Sequence, residues 1–118
     1  MKKILFAEDD ELILNMVAYK LKQEGYLVST AKDGNEAIES FNSDKPDIVL
    51  TDIMMPFKSG LEVTHMIKKS QPEVPVVILS SLGDDGVTVQ EAFDLGVSDF
   101  ITKPFNPKEL MLRLRRLV

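Results

Sequence analysis

Glu8, Asp9, Asp10, Asp52, Ser80 and Lys103 are residues of the types that handle a cation and a phosphoryl group. The first three are consecutive. The stretch FAEDDE (residues 6–11) sets four acids directly behind the apolar run Ile4–Ala7, and neighbouring carboxylates repel one another. Three carboxylates within about 4–6 Å cannot all stay ionised cheaply: pKa values rise or a cation neutralises them. With no cysteine and a single histidine, His65, thiolate and multi-histidine zinc sites are excluded. The remaining donors are hard oxygens, which favour Mg2+, Mn2+ or Ca2+. Mg2+ leads, because it takes one or two protein carboxylates and keeps waters and a phosphate. An ammonium from Lys103 and a hydroxyl from Ser80 beside that cation would surround a developing phosphoryl group. Pro104 follows Lys103, removes a backbone donor and stiffens the chain that aims the lysine. Asp10 has a plainer role, since it can cap the helix that follows and favour its dipole.

Bringing these residues together requires a particular scaffold. Five short apolar runs alternate with five helix-like stretches. The runs are Ile4–Ala7, Leu27–Ala31, Ile48–Thr51, Val76–Leu79 and Ser98–Ile101. Residues 11–24 carry Ile13, Leu14, Val17, Ala18 and Leu21 at helical spacing, with Gly25 where a helix would stop. Asp33 or Asn35 can cap a second helix over Ala37, Ile38 and Phe41. A third is predicted over about residues 60–69 and a fourth over about 85–95, ending at Gly96. The fifth opens with Asn106 at the N-cap, Pro107 at N1 and Glu109 at N3, which predicts a capping box. Its face continues through Leu110, Leu114 and Leu117.

Alternating strands and helices at this spacing predict βαβ units, hence a parallel sheet with helices on both faces. Runs one, three and four are continuously apolar, as central strands are. Runs two and five carry Ser29, Thr30, Ser98 and Asp99 and suit the edges. That distribution predicts the α/β flavodoxin-like, doubly wound fold with strand order 2-1-3-4-5, whose ligands bind beyond the carboxyl ends of strands one and three. Adjacent strands lie about 4.8 Å apart, so Asp52, after run three, arrives beside Glu8 and Asp9.

The chain has 118 residues, which suits a single domain over 1–118. A formal charge of −5 argues against direct nucleic-acid binding by this domain. No apolar run approaches the roughly 18 residues of a membrane span, and Met1-Lys2-Lys3 leads straight into the first run with no signal peptide. A cytoplasmic setting without membrane contact is the expectation.

The motifs ILFAEDDELI, PDIVLTDIMMPFKSG, VPVVILSS and GVSDFITKPFNPKEL, in this order and at these separations, resemble the receiver domain of bacterial two-component response regulators, the CheY-like family. The resemblance covers essentially the whole chain. It implies a signalling switch, not an enzyme with a separate substrate. Asp52 would accept a phosphoryl group from a phosphohistidine on a sensor histidine kinase or a histidine phosphotransfer protein. Asp9 would bind Mg2+ directly, Glu8 through water, and Asp52 and the backbone carbonyl of Met54 would complete the protein's share. Lys103 would pair with Asp52 and then with the phosphate, across a cis Lys103-Pro104 bond. Pro56 and Gly60 would shape the site, Gly60 through backbone angles that other residues resist. Ser80 would turn toward the phosphoryl group and Phe100 would rotate inward. That change remodels the face of the fourth helix, fifth strand and fifth helix, where an output domain or a target protein would bind.

Several positions depart from the family pattern. Ser81 follows Ser80 where a small apolar residue is usual, and counting back from Gly96 across the loop 82–86 makes Ser81 the match instead. Ser80 is preferred because strand registers are firmer than loop lengths. Asp99 and Arg113 stand where dimerising receivers pair charges. Ser98, Val87, Thr88 and Val89 make that face more apolar, which predicts a different partner or weak dimerisation. Arg113, Arg115 and Arg116 suit the dipole of a helix C-terminus. Three rival functions are weaker. An aspartate-nucleophile phosphatase would want an acid at Met54, a flavodoxin a phosphate loop in place of FAEDDE, and a degenerate interaction module would not need the intact acids and Lys103.

Overall fold

Each apolar run becomes a strand, and each stretch between them a helix. The computed structural model describes residues 1–82 and 85–118. In chain order the elements are β1 (Lys3–Ala7), α1 (Glu11–Gln23), β2 (Leu27–Ala31), α2 (Gly34–Asp44), β3 (Ile48–Thr51), α3 (Gly60–Ser70), β4 (Val76–Ser80), α4 (Gly86–Asp94), β5 (Asp99–Thr102) and α5 (Pro107–Arg115). All strand pairings are parallel, in the order β2-β1-β3-β4-β5. This is the predicted flavodoxin-like order. The polar runs sit at the two edges and the apolar runs in the middle.

Successive strand residues point to opposite faces, so a central strand needs an apolar residue at every position. Ile4, Phe6, Ile48, Leu50, Val77 and Leu79 face one layer, with Leu14, Val17 and Leu21 of α1 and Leu110, Met111 and Leu114 of α5. Leu5, Ala7, Val49, Val76 and Ile78 face the other, with Ala37 and Phe41 of α2, Val63 and Ile67 of α3, and Ala92 of α4. Burying each Leu or Ile contributes about 1.5–3 kcal/mol relative to leaving it exposed. Together these contacts fix which strand ends meet at the carboxyl edge.

The caps refine the sequence reading. Asp10 accepts from the backbone N–H groups of Leu12 and Ile13, as expected. Asp33, not Asn35, caps α2 by accepting from Glu36 N–H. Ser59 and Glu62 form a full capping box at α3, which the sequence reading passed over. The box predicted at α5 is half made. Asn106 accepts from Lys108 and Glu109 N–H, but the Glu109 carboxylate turns to Arg113 at 2.7 Å, a charge-assisted bond stronger than one to a neutral backbone donor. Gly25 and Gly96 follow α1 and α4 with φ of +97°, the left-handed geometry that favours glycine after a helix. The fifth strand runs one residue later than predicted, because Ser80 pairs with Thr102 in register.

Candidate functional site

Strand ends deliver the site. The Glu8 N–H donates to Ala31 O at 2.9 Å, and the Asp52 N–H donates to Ala7 O at 3.0 Å. Each bond carries the strand ladder one residue further and pins an acid at the carboxyl edge. Lys103 arrives in the same way, its N–H donating to Ser80 O at 2.9 Å. The carboxylate oxygens of Glu8, Asp9 and Asp52 lie within 4.8 Å of one another. Glu8 and Asp52 are buried and Asp9 is exposed.

Lys103 Nζ sits between the two buried acids, 2.6 Å from Glu8 Oε1 and 3.0 Å from Asp52 Oδ2. The other Glu8 oxygen accepts from Asp10 N–H at 3.2 Å, and Asp52 Oδ1 accepts from Ile53 N–H at 2.7 Å. Burial pushes the Glu8 carboxyl from 4.5 up to about 7; bonds from Lys103 and the Asp10 N–H oppose this, and the Asp52 charge adds to it. Burial alone would lower the Lys103 pKa, but its bonds to Glu8 and Asp52 outweigh that and the net shift is upward. The crowding is therefore relieved in two ways at once. One acid is pushed toward its neutral form, and a resident ammonium supplies positive charge.

The loop after Asp52 is held on two sides. Gly60 N–H donates to Ile53 O at 2.8 Å, and Gly34 N–H donates to Pro56 O at 3.2 Å. Lys58 Nζ donates to Asn35 Oδ1 at 2.8 Å. A Cβ on Gly60 would overlap the backbone carbonyl of Asp52, and one on Gly34 would overlap that of Lys58. Gly60 is thus required for close approach. Its φ is not positive, which corrects the expectation that it supplies special backbone angles. The sequence reading missed Gly34; a glycine right after the Asp33 cap was its only signal. It also missed Thr51, whose hydroxyl donates to Asp52 O at 2.9 Å.

Met54 lies two residues beyond Asp52 on this loop with its side chain exposed. The Lys103-Pro104 peptide is cis. Ser80 is fully buried, its Oγ accepting from Leu82 N–H at 3.1 Å, while Ser81 is exposed. The loop length that left the two serines open runs through residues 83 and 84, which lie outside the described residues. Phe100 pairs with Ile78 and packs, partly buried, on the α2–α3–α4 side. Ser80, two residues after Ile78, shares that face. Asp99 and Arg113 meet within the chain at 3.0 Å, and Arg115 pairs with Glu24 at 3.5 Å.

With this geometry in place, comparison with known proteins gives the family. The family model of the response regulator receiver domain matches residues 4–115. The chain belongs to this family. Among curated proteins the receiver resembles the probable transcriptional regulator ycf27 of Guillardia theta, at 40% identity over 119 residues, covering 99% of this chain and 45% of that protein. The chain spans less than half the length of the curated relatives it matches. Among solved structures it resembles a BeF3-activated DrrB receiver domain at 38% identity and a TM-score of 0.91, covering 99% of this chain and 97% of that one. It also resembles response regulator TrrA of Thermotoga maritima in complex with Mg(2+)-BeF, at 31% identity and a TM-score of 0.90, each chain covered fully. The receiver is a signalling domain of the two-component type, with the CheY-like fold.

Proposed function

We propose that Asp52 is the phosphoryl acceptor and that its phosphorylation drives a two-state switch. The observation that carries this reading is the Asp52 carboxylate itself. It is buried at a strand end, bonded on one oxygen by Ile53 N–H and on the other by Lys103, with Glu8 and Asp9 alongside. A carboxylate oxygen of Asp52 attacks phosphorus as the P–N bond of a phosphohistidine breaks; that electron pair returns to the imidazole nitrogen, which is then protonated. Lys103 is placed to follow the transferred charge, since its ammonium already touches the attacking group.

The donor set fits Mg2+: three carboxylates with their oxygens close together and no soft ligand. Asp9 and Asp52 would hold the ion directly, Glu8 through water, and the Met54 carbonyl would add a neutral oxygen. Bound there, Mg2+ would polarise the phosphoryl oxygens and offset developing negative charge. The phosphoryl group adds about −1.5 to −2 charges. It favours the conformer in which Ser80 turns toward it and Phe100 packs inward, remodelling the α4-β5-α5 face. The partners on this reading are a sensor histidine kinase or histidine phosphotransfer protein as donor, and an output domain or target protein on that face. Residues 1–118 act as one receiver domain in the cytoplasm, touching neither nucleic acid nor membrane themselves.

The test uses acetyl phosphate with Mg2+ and intact-mass measurement. The wild-type chain gains one hydroxylamine-labile phosphoryl group and Asp52→Asn gains none. Labelling that persists in Asp52→Asn would overturn the assignment.

A further inference from the structure

Thr51 is the one polar side chain in β3. Ile48, Val49 and Leu50 before it are apolar, and all four residues are buried. Thr51 lies in register with Ala7 of β1 and Ile78 of β4, both of which pack in the layer under α2, α3 and α4. Valine has nearly the same shape and would suit a central strand better, because a buried hydroxyl costs free energy unless it is hydrogen-bonded. The bond that this hydroxyl makes is specific. Thr51 Oγ1 donates to the backbone carbonyl of Asp52 at 2.9 Å. Met55 Sδ, at 4.0 Å, is the other acceptor in reach, and sulfur is a weak one. Among the described residues no other group donates to the Asp52 carbonyl.

That carbonyl and the Ile53 N–H belong to the same planar peptide unit. The N–H end donates to Asp52 Oδ1 at 2.7 Å. The carbonyl end is gripped by Thr51 and stands against Gly60, where a Cβ would overlap it. The unit turns only as a plate, so holding the carbonyl aims the N–H. A hydrogen bond accepted by the carbonyl also polarises the amide and strengthens its N–H as a donor. Asp52 Oδ2 accepts from the Lys103 ammonium at 3.0 Å. Both oxygens of the carboxylate are thus held, one of them through a peptide that Thr51 orients. We infer that Thr51 is a positioning residue for phosphoryl acceptance: its hydroxyl acts through the Asp52–Ile53 peptide to hold the acceptor carboxylate in the orientation from which it reacts. A carboxylate free to turn about its last bond would meet phosphorus in the reactive geometry less often.

This inference rests on Asp52 being the acceptor. Two comparisons isolate the hydroxyl: wild type against Thr51→Val, and Thr51→Ser against Thr51→Ala. Each chain is labelled with acetyl phosphate and Mg2+, and its Ile53 amide proton is followed by NMR. Thr51→Val is expected to lower the rate at saturating acetyl phosphate by about tenfold or more, with KM within about twofold of wild type. Its Ile53 amide proton should move upfield as the bond to Asp52 weakens. Thr51→Ser keeps the wild-type Ile53 signal and most of the rate, and Thr51→Ala loses both. Wild-type labelling rates in Thr51→Val and Thr51→Ala would overturn the inference. So would equal losses in Thr51→Ser and Thr51→Ala, which would make the methyl group the cause. An unmoved Ile53 signal in the slowed variants would overturn it too, by taking the peptide out of the path. The Ser–Ala comparison decides the matter if Thr51→Val does not fold. Labelling that persists in Asp52→Asn strikes the acceptor assignment instead, and the Ile53 signal still reads the link from Thr51.

Discussion

Gly60 lies against the backbone of Asp52 so closely that a methyl group on its α-carbon would overlap the Asp52 carbonyl oxygen. The first residue of α3 therefore sets how far the Asp52 peptide can sit from the helix behind it. Thr64 reinforces the contact, its hydroxyl donating to Gly60 O at 2.7 Å.

Substituting Gly60 should accordingly act on stability and chemistry together. Gly60→Ala is expected to destabilise the domain by about 1–3 kcal/mol, the range for forcing extra volume into a packed site. It should also slow acetyl phosphate labelling, because the Asp52 peptide must move. Gly86, at the start of α4, supplies the contrast: among the described residues nothing lies within 4 Å of a Cβ there. Gly86→Ala should stabilise by about 0.4–1 kcal/mol by restricting the unfolded chain. Urea unfolding of both variants checks the pair, and equal signs would contradict the geometry.

Glu8 gives the domain a specific pH response in the absence of divalent ions. Its carboxyl titrates near 7 when folded against 4.5 as a free side chain. Between these values the folded state holds the proton that the unfolded state has lost, so stability falls as pH rises through the window. Below it, both states are protonated and the stabilisation is complete. In the presence of a chelator, unfolding free energies measured on either side of the window should decline more steeply in wild type than in Glu8→Gln. Parallel profiles would show that Glu8 is ionised throughout.

Ser80 and Ser81 make separable predictions. Ser80 Oγ is buried and accepts from Leu82 N–H, so Ser80→Ala leaves that donor unpaired, at a cost of about 1–3 kcal/mol. With beryllofluoride and Mg2+ as a phosphoryl mimic, Ser80→Ala should also blunt the shift in the NMR signals of the Phe100 ring. Ser81 is exposed, and Ser81→Ala should stay within about 0.5 kcal/mol of wild type with the Phe100 response intact. The reverse pattern would make Ser81 the switch hydroxyl.

The strand order was readable because burial on both faces leaves a plain mark on composition: Ile4–Ala7, Ile48–Thr51 and Val76–Leu79 carry no charge, and the edge strands are more polar. Once that order stood, Asp52 had to fall beside Glu8 and Asp9. Less was readable where a side chain had two partners to choose from. Glu109 could reach back to the Asn106 N–H or forward to Arg113, and the charge won. Asp33 and Asn35 were both candidate caps; α2 starts at Gly34, which leaves Asp33 at the cap and Asn35 inside the helix, where it accepts from Lys58. The φ of +70° at Phe57, in the loop after Asp52, was unreadable in principle, since nothing about phenylalanine announces it. The need for Gly60 was seen, but its cause was not, because close approach is a property of two distant segments and not of one.

The division of the interior into two separate layers has a consequence of its own. Ser80 and Phe100 belong to the layer beneath α2, α3 and α4, whereas α1 and α5 rest on residues of the opposite side. On the proposed switch, a rearrangement running from Ser80 to Phe100 would start on one side of the central strands, with α5 on the other. Arg113 ties α5 to Asp99 of β5 at 3.0 Å, next in the chain to Phe100, so a shift of that strand would be felt by α5 through an ion pair at the sheet's edge and not through the core.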